Sequence, residues 1–143
     1  MSLPLFGRPR RRPTLDRPAA YALLATDDGV AVVLTDEGEL FLPGGGLLDG
    51  ETPEDAVVRE VMEECGLHVV CDARWAEAIQ HFTARDGRRD YRSHMVFIEC
   101  RLAATGRAPG EHPTLWLTEM PARRRFVHEA HAWVLQDYLA SRL

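Results

Sequence analysis

The stretch from Pro43 to Leu67 reads PGGGLLDGETPEDAVVREVMEECGL. Its opening, Pro43-Gly44-Gly45-Gly46, halts a strand expected over Glu39 to Leu42, because proline has no N–H to donate and glycines have no side chains to pack. A loop whose backbone comes close to something is predicted. Thr52, Pro53 and Asp55 then supply an N-cap, a first-turn proline and an acidic third position, so a helix is expected from Glu54 to about Glu64. Gly66 ends it, with Leu67 placed for the apolar contact that follows a left-handed C-terminal glycine.

Each helical residue advances about 100°, so Glu60, Glu63 and Glu64 share one face, with Ala56 small among them. Val58, Val61, Met62 and Cys65 form an apolar stripe on the other side, suited to packing on a sheet. Carboxylates three and four apart repel by about 0.2–0.5 kcal/mol per pair, so a cation belongs among them. Arg59 can neutralise one, and a cluster of hard oxygen ligands beside a glycine loop suits Mg²⁺ or Mn²⁺. Glu51 adds a fourth carboxylate just ahead of the helix. The competing reading is a solvated acidic face. The glycines weigh against it, since they let backbone carbonyls and amides approach the same metal or a phosphate.

Working outward, Tyr21–Ala25 and Val30–Leu34 are aliphatic runs around Asp27-Asp28-Gly29, a hairpin signal. Beyond the helix, strands are expected at about 68–71, 74–83 and 91–102, the last two joined by a turn at Asp86-Gly87, and again at Thr114–Thr118. Phe126, Ala130, Trp133, Val134 and Leu139 recur at helical spacing and predict a final amphipathic helix over about 122–139. Strands mixed with helices in this order imply an α/β protein, a mixed sheet with helices on both faces.

The 143 residues suffice for one domain, expected over residues 18–143, and 45% hydrophobic with 27% charged residues excludes a disordered or fibrous chain. Every basic residue is Arg. Residues 1–17 carry five Arg against Asp16, while the remainder holds 12 Arg against 21 acids, a body of charge −9 that disfavours a nucleic-acid partner. The basic block before residue 18 reads as a flexible tail, the alternative being a phosphate-steering arm. Cys65, Cys71 and Cys100 are odd in number and form no C-x-x-C pair, so reduced thiols and a cytoplasmic location are expected. No run of about 18 apolar residues predicts a membrane span.

Read from Gly45, the pattern is G-x5-E-x7-R-E-V-M-E-E-C-G-L, with Gly45, Glu51, Arg59, Glu60, Glu63, Glu64, Gly66 and Leu67 in register. It resembles the Nudix box at every defining position. The resemblance extends more loosely to Phe41–Gly45 and to Glu111–Trp116, and so covers most of residues 18–143. It implies an α/β/α sandwich that hydrolyses a nucleoside diphosphate linked to a group X, yielding a nucleoside monophosphate and a phosphorylated X. By position it implies Glu60, Glu63 and Glu64 as metal ligands, with the main-chain carbonyl of Gly44 as a further one. Arg59 is expected to orient a glutamate through a bidentate contact with Glu51 or Glu60, leaving Glu51 in support. The base that activates water is either a box glutamate or a carboxylate in the loop before the last strand, where Glu111 lies.

Other residues carry less. His128 and His131 lack a third metal ligand and read as packing or surface residues, and Arg123-Arg124-Arg125 as a solvated face. Tyr21, Phe82, Tyr91 and Trp116 are candidates both for stacking on a base and for the core. About fifteen residues past the box, at Gln80 to Thr83, neither the proline that marks ADP-ribose enzymes of the family nor the tyrosine that marks its dinucleoside polyphosphate enzymes is found, and no coenzyme A signature occurs. That favours a nucleoside triphosphate or other small nucleotide as the partner molecule. A sensing module with little catalysis and an RNA 5′-end hydrolase are the alternatives, and a homodimer is left open.

Overall fold

The computed structural model describes residues 2–103 and 108–143. Strands β1 (Leu5–Phe6), β2 (Thr14–Asp16), β3 (Ala19–Thr26), β4 (Gly29–Leu34), β5 (Leu40–Phe41) and β6 (Gly44–Gly46) precede helix α1 (Pro53–Cys65). Strands β7 (Val69–Thr83), β8 (Asp90–Leu102) and β9 (Thr114–Leu117) follow, then a single 3₁₀ turn (Arg123–Arg125) and helix α2 (Glu129–Ser141). The sheet path runs β1-β7-β8-β3-β4-β5, with β2 on β8, β6 on β3 and β9 on β4. β1, β2 and β3 pair in parallel with their neighbours β7, β8 and β8, and the other pairings are antiparallel. The expected mixed sheet between helices is the fold observed.

Side-chain alternation along β3 makes the sandwich. Ala20, Ala22 and Leu24 join Val57, Val61 and Cys65 of α1 in one core layer, while Ala19, Tyr21 and Leu23 join Val134, Leu135 and Tyr138 of α2 in the other. The two alanines opposite α1 leave room for that helix to lie close to the strand. Leu23, Leu24, Phe97 and Ile98 are wholly buried, each contributing about 1.5–3 kcal/mol of apolar transfer. α1 is locked at both ends. Thr52 Oγ1 accepts from the Asp55 N–H and Asp55 Oδ2 accepts from the Thr52 N–H, both at 3.1 Å, and Gly66 at φ +69° donates to the Met62 carbonyl.

Five expectations need correction. Residues 1–17, expected to be a flexible tail, contribute two short strands: Leu5 and Phe6 lie opposite Ile79 and Gln80, and Thr14–Asp16 opposite Asp90–Arg92. Arg12 accounts for part of this, donating to Asp90 at 2.6 and 3.0 Å and to the Gly87 carbonyl at 2.7 Å. Charge patterning missed it because the acceptor lies 78 residues away. The apolar face of α1 is Ala56, Val57, Val61 and Cys65, whereas Val58 is exposed. The glycines at 44–46 form a strand rather than a loop, since β3 offers them a partner. The last helix starts at Glu129, because Phe126 is extended and tucks in beside Leu40. The strands expected at 68–71 and 74–83 are one, β7, bent by register shifts around Arg74. No helix among the described residues is long and apolar enough to cross a membrane.

The Arg12 tether makes the N-terminal segment testable. Arg12 and the Thr83 hydroxyl hold the buried Asp90 carboxyl at about 2, below its ordinary value near 4. A depressed carboxyl contributes stability above its ordinary pKa and loses it as the pH falls, here from about 4 toward 2. Arg12→Ala is expected to expose residues 8–13 to trypsin at neutral pH, with cleavage after Arg10 or Arg11 at least about tenfold faster than in the parent. Equal cleavage rates would mean that the ion pair does not hold the segment.

Candidate active site

α1 brings the carboxylates together, but not equally. Glu63 is half-exposed, Glu60 largely covered, and Glu64 only 6% exposed, on the buried side of the helix. One Glu64 oxygen accepts the Gly44 N–H at 2.8 Å. Burial pushes the Glu64 carboxyl up to about 8, and the negative charges of Glu60, Glu111 and Glu63 add to the rise while the Gly44 N–H opposes it. Glu60 is raised as well, first by burial and less by Glu63 and Glu111, against the pull of Arg59.

Arg59 contacts both of the glutamates anticipated for it. Its Nε and Nη2 grip Glu51 at 2.8 and 2.9 Å, its Nη1 donates to Glu60 at 3.0 Å, and its Nη2 also reaches the Gly46 carbonyl at 3.2 Å. Glu63 lies 3.5 Å from Nη1. The guanidinium, with the Leu48 N–H, holds the Glu51 carboxyl down at about 2. Arg59 thus ties the strand of glycines to the acidic helix face.

The glycines stand where no side chain fits. A Cβ on Gly44, which has φ +145°, would collide with the Ala20 carbonyl and the Tyr21 backbone of β3. One on Gly45 would sit 2.9 Å from Glu60 Oε1. Close backbone approach is therefore present at both positions, to a strand at the first and to a carboxylate at the second.

Glu111 reaches the same end of α1 through its backbone. The last helical carbonyls need donors, and Glu111 N–H supplies Glu63 O at 3.1 Å, His112 N–H supplies Glu64 O at 3.2 Å, and Ala108 N–H supplies Gly66 O at 3.1 Å. The Glu111 carboxylate is exposed, and its charge acts on both Glu60 and Glu64.

As they stand, no three acidic, histidine or cysteine side chains among the described residues form a ready metal cage. The donor set nevertheless suits a divalent cation. Several carboxylates crowd one helix face, and the most buried of them has one neutral N–H as its hydrogen-bond partner, an arrangement that a positive ion relieves.

Beside Gly44 and Gly45 opens a cavity of about 440 Å³. Phe82 and Tyr91 form one wall as a cross-strand pair with ring centroids 5.3 Å apart, and His128 lies 4.7 Å from Phe82. Arg17, Arg85, Tyr21, His112 and His131 also line it. Tyr21 is a core residue on Phe97, and Trp116 packs on the α1 side and does not line the cavity. His131 Nδ1 accepts the Leu42 N–H at 3.1 Å, so the neutral ring carries its proton on Nε2. Burial holds His128 down at about 4 and His131 well below the ordinary range. The Arg123–Arg125 turn is exposed, with Arg123 on Gln136. Gln80 does not face the cavity as a reader, since its Oε1 accepts the first-turn Ala130 N–H of α2.

The NUDIX domain family model matches residues 15–138 of this chain. The chain belongs to the Nudix family. A MutT-like protein of Streptomyces ambofaciens is 40% identical over 62 residues, a match that spans 42% of this chain and 40% of that relative. Among solved structures, a MutT protein from Methanosarcina mazei Go1 superposes with a TM-score of 0.68 at 17% identity, covering 90% of this chain and 96% of that one. An ADP-ribose pyrophosphatase from Streptococcus suis superposes with a TM-score of 0.61 at 23% identity, covering 89% and 92%. At these identities the superpositions establish the fold alone, and the chemistry of this Nudix-family chain rests on its own residues.

The sequence did not single out the cavity. Its walls come from β3, β5–β6, β7, β8, the loop before β9 and the start of α2, elements far apart in the chain.

Proposed function

We propose that this Nudix hydrolase cleaves the pyrophosphate linkage of a small nucleotide, a nucleoside diphosphate joined to a group X, with Mg²⁺ or Mn²⁺ bound at Glu60, Glu63, Glu64 and the Gly44 carbonyl. The observation that carries this reading is the buried Glu64, crowded by like charges and hydrogen-bonded to Gly44, which lines an aromatic cavity. A bound divalent ion supplies the positive charge that lets an acidic protein take a polyanion, and it acidifies water and steadies the leaving phosphate.

The chain's own groups do the rest. Arg59 positions Glu60 and keeps Glu51 ionised, and the Gly44 N–H fixes the direction of Glu64. Glu63 and Glu111 face solvent, where water is at hand, and either can take its proton. The water oxygen then bonds to phosphorus, the bridging P–O bond breaks, and its electron pair leaves with the departing phosphate.

A panel of NTPs, dNTPs, ADP-ribose, NADH, dinucleoside polyphosphates and nucleotide sugars tests the proposal. At least one compound is expected to release a nucleoside monophosphate with Mg²⁺ or Mn²⁺, and EDTA to reduce that rate by at least about a hundredfold. No turnover of any compound by folded protein would refute it.

A further inference from the structure

The cavity is lined by two arginines with different circumstances. Arg85 is committed to acids, 2.8 Å from Glu39 and 3.3 Å from Glu37. Arg17 makes no ion pair among the described residues. It occupies the break between β2 and β3, where its backbone is pinned to β8: its N–H donates to the Arg92 carbonyl at 3.0 Å and its own carbonyl accepts the Ser93 hydroxyl at 2.8 Å. Its guanidinium lies flat against β6, since a Cβ on Gly46 would come within 3.1 Å of Nη2 and 3.2 Å of Cζ. It also lies beside the Tyr21 hydroxyl.

Position and surroundings assign it a task. Arg17 is half-buried and stands between two unlike regions, near enough to each to act on it: its charge disfavours protonated His128 on the aromatic wall, and it lies against the strand whose other glycines meet Glu60 and Glu64. A half-buried guanidinium without a carboxylate leaves charge-assisted donors unused, a cost that an anion in the cavity removes. A nucleotide has the matching division, a flat uncharged base and a charged phosphate chain.

We propose that Arg17 clamps the phosphate next to the nucleoside, with the base lying against Phe82, Tyr91 and His128, so that the following phosphate is delivered to the glutamate face. This rests on the pyrophosphohydrolase reading for its substrate class, while the clamp itself is a binding contact and is measurable without turnover. It explains one of the basic residues before position 18, which acts through a fixed position on the sheet.

The experiment titrates AMP, GMP, CMP and UMP, each beside its nucleoside, into wild type and Arg17→Gln in metal-free buffer. For the monophosphate that wild type binds most tightly, Arg17→Gln is expected to weaken binding by about tenfold or more, while the matching nucleoside changes by less than about twofold. In turnover with the best panel substrate, KM rises by about tenfold and kcat stays within about threefold, as for a contact made equally in ground and transition states. Arg17→Lys, which keeps the charge and loses the planar fork, falls between the two and reads the same contrast if Arg17→Gln does not fold.

Equal losses for nucleoside and monophosphate would overturn the clamp and leave Arg17 as a shaping residue. So would unchanged binding, or wild type that binds none of the four monophosphates. If no panel compound is hydrolysed but the monophosphate-specific loss appears, the proposed reaction fails and the clamp stands. Turnover with no effect of Arg17→Gln has the opposite meaning.

Discussion

Glu64→Gln is expected to lower kcat by about a thousandfold or more with the fold intact. Glutamine keeps the shape and still offers an oxygen to the Gly44 N–H, so the 2.8 Å contact that seats the side chain survives. What disappears is the negative charge. At a site only 6% exposed, with Glu60, Glu63 and Glu111 all acting on it, that charge is costly to keep, and a buried group held at such cost points to use. The metal-free variant is therefore expected to melt no lower than the parent, because a neutral amide costs no more to bury than a carboxyl group that burial and like charges already push up to about 8. Steady-state rates and a thermal melt check both halves. A rate within about tenfold of the parent would remove Glu64 from the reacting centre.

The second large effect separates two neighbouring glycines. Gly44→Ala is expected to cost about 3 kcal/mol or more and lower the melting temperature by about 10 °C, because the new methyl meets the β3 backbone at a φ that side chains rarely adopt. Backbone cannot step aside as a side chain can. Gly45→Ala meets the end of the Glu60 side chain instead, with no unusual φ, so stability should change by less than about 1 kcal/mol while activity falls by at least about tenfold. Gly87→Ala has a positive φ and open space around it, and serves as the control for backbone strain alone. Similar melting temperatures for the Gly44 and Gly45 variants would contradict this division.

Much of the site was legible because it is local. From Gly45 to Leu67 the spacing, the caps and the acidic face all lie within one loop and one helix, and helical geometry alone brings Glu60, Glu63 and Glu64 to one side. Arg59 was anticipated to meet Glu51 or Glu60 and meets both, since the loop folds back over the helix start. The apolar stripe was misread by one position: Val57 is buried and Val58 exposed, because small Ala20 and Ala22 on β3 draw α1 in along the side that also buries Glu64. The N-terminal block was read from its charge density, which carries no information about a buried Asp90 or an open edge of β7.

The sequence by itself determined the class of the fold, the helix with its caps and the identity of the clustered carboxylates, because those depend on residues close together in the chain. Only the tertiary structure decided how deeply each carboxylate is buried, that the glycines pair as a strand, and that Arg17 meets Phe82, Tyr91 and His128 around one cavity. Burial and electrostatic coupling depend on distances through space, and the packing of sheet and helix brings together groups that the chain keeps up to 114 positions apart, from Arg17 to His131.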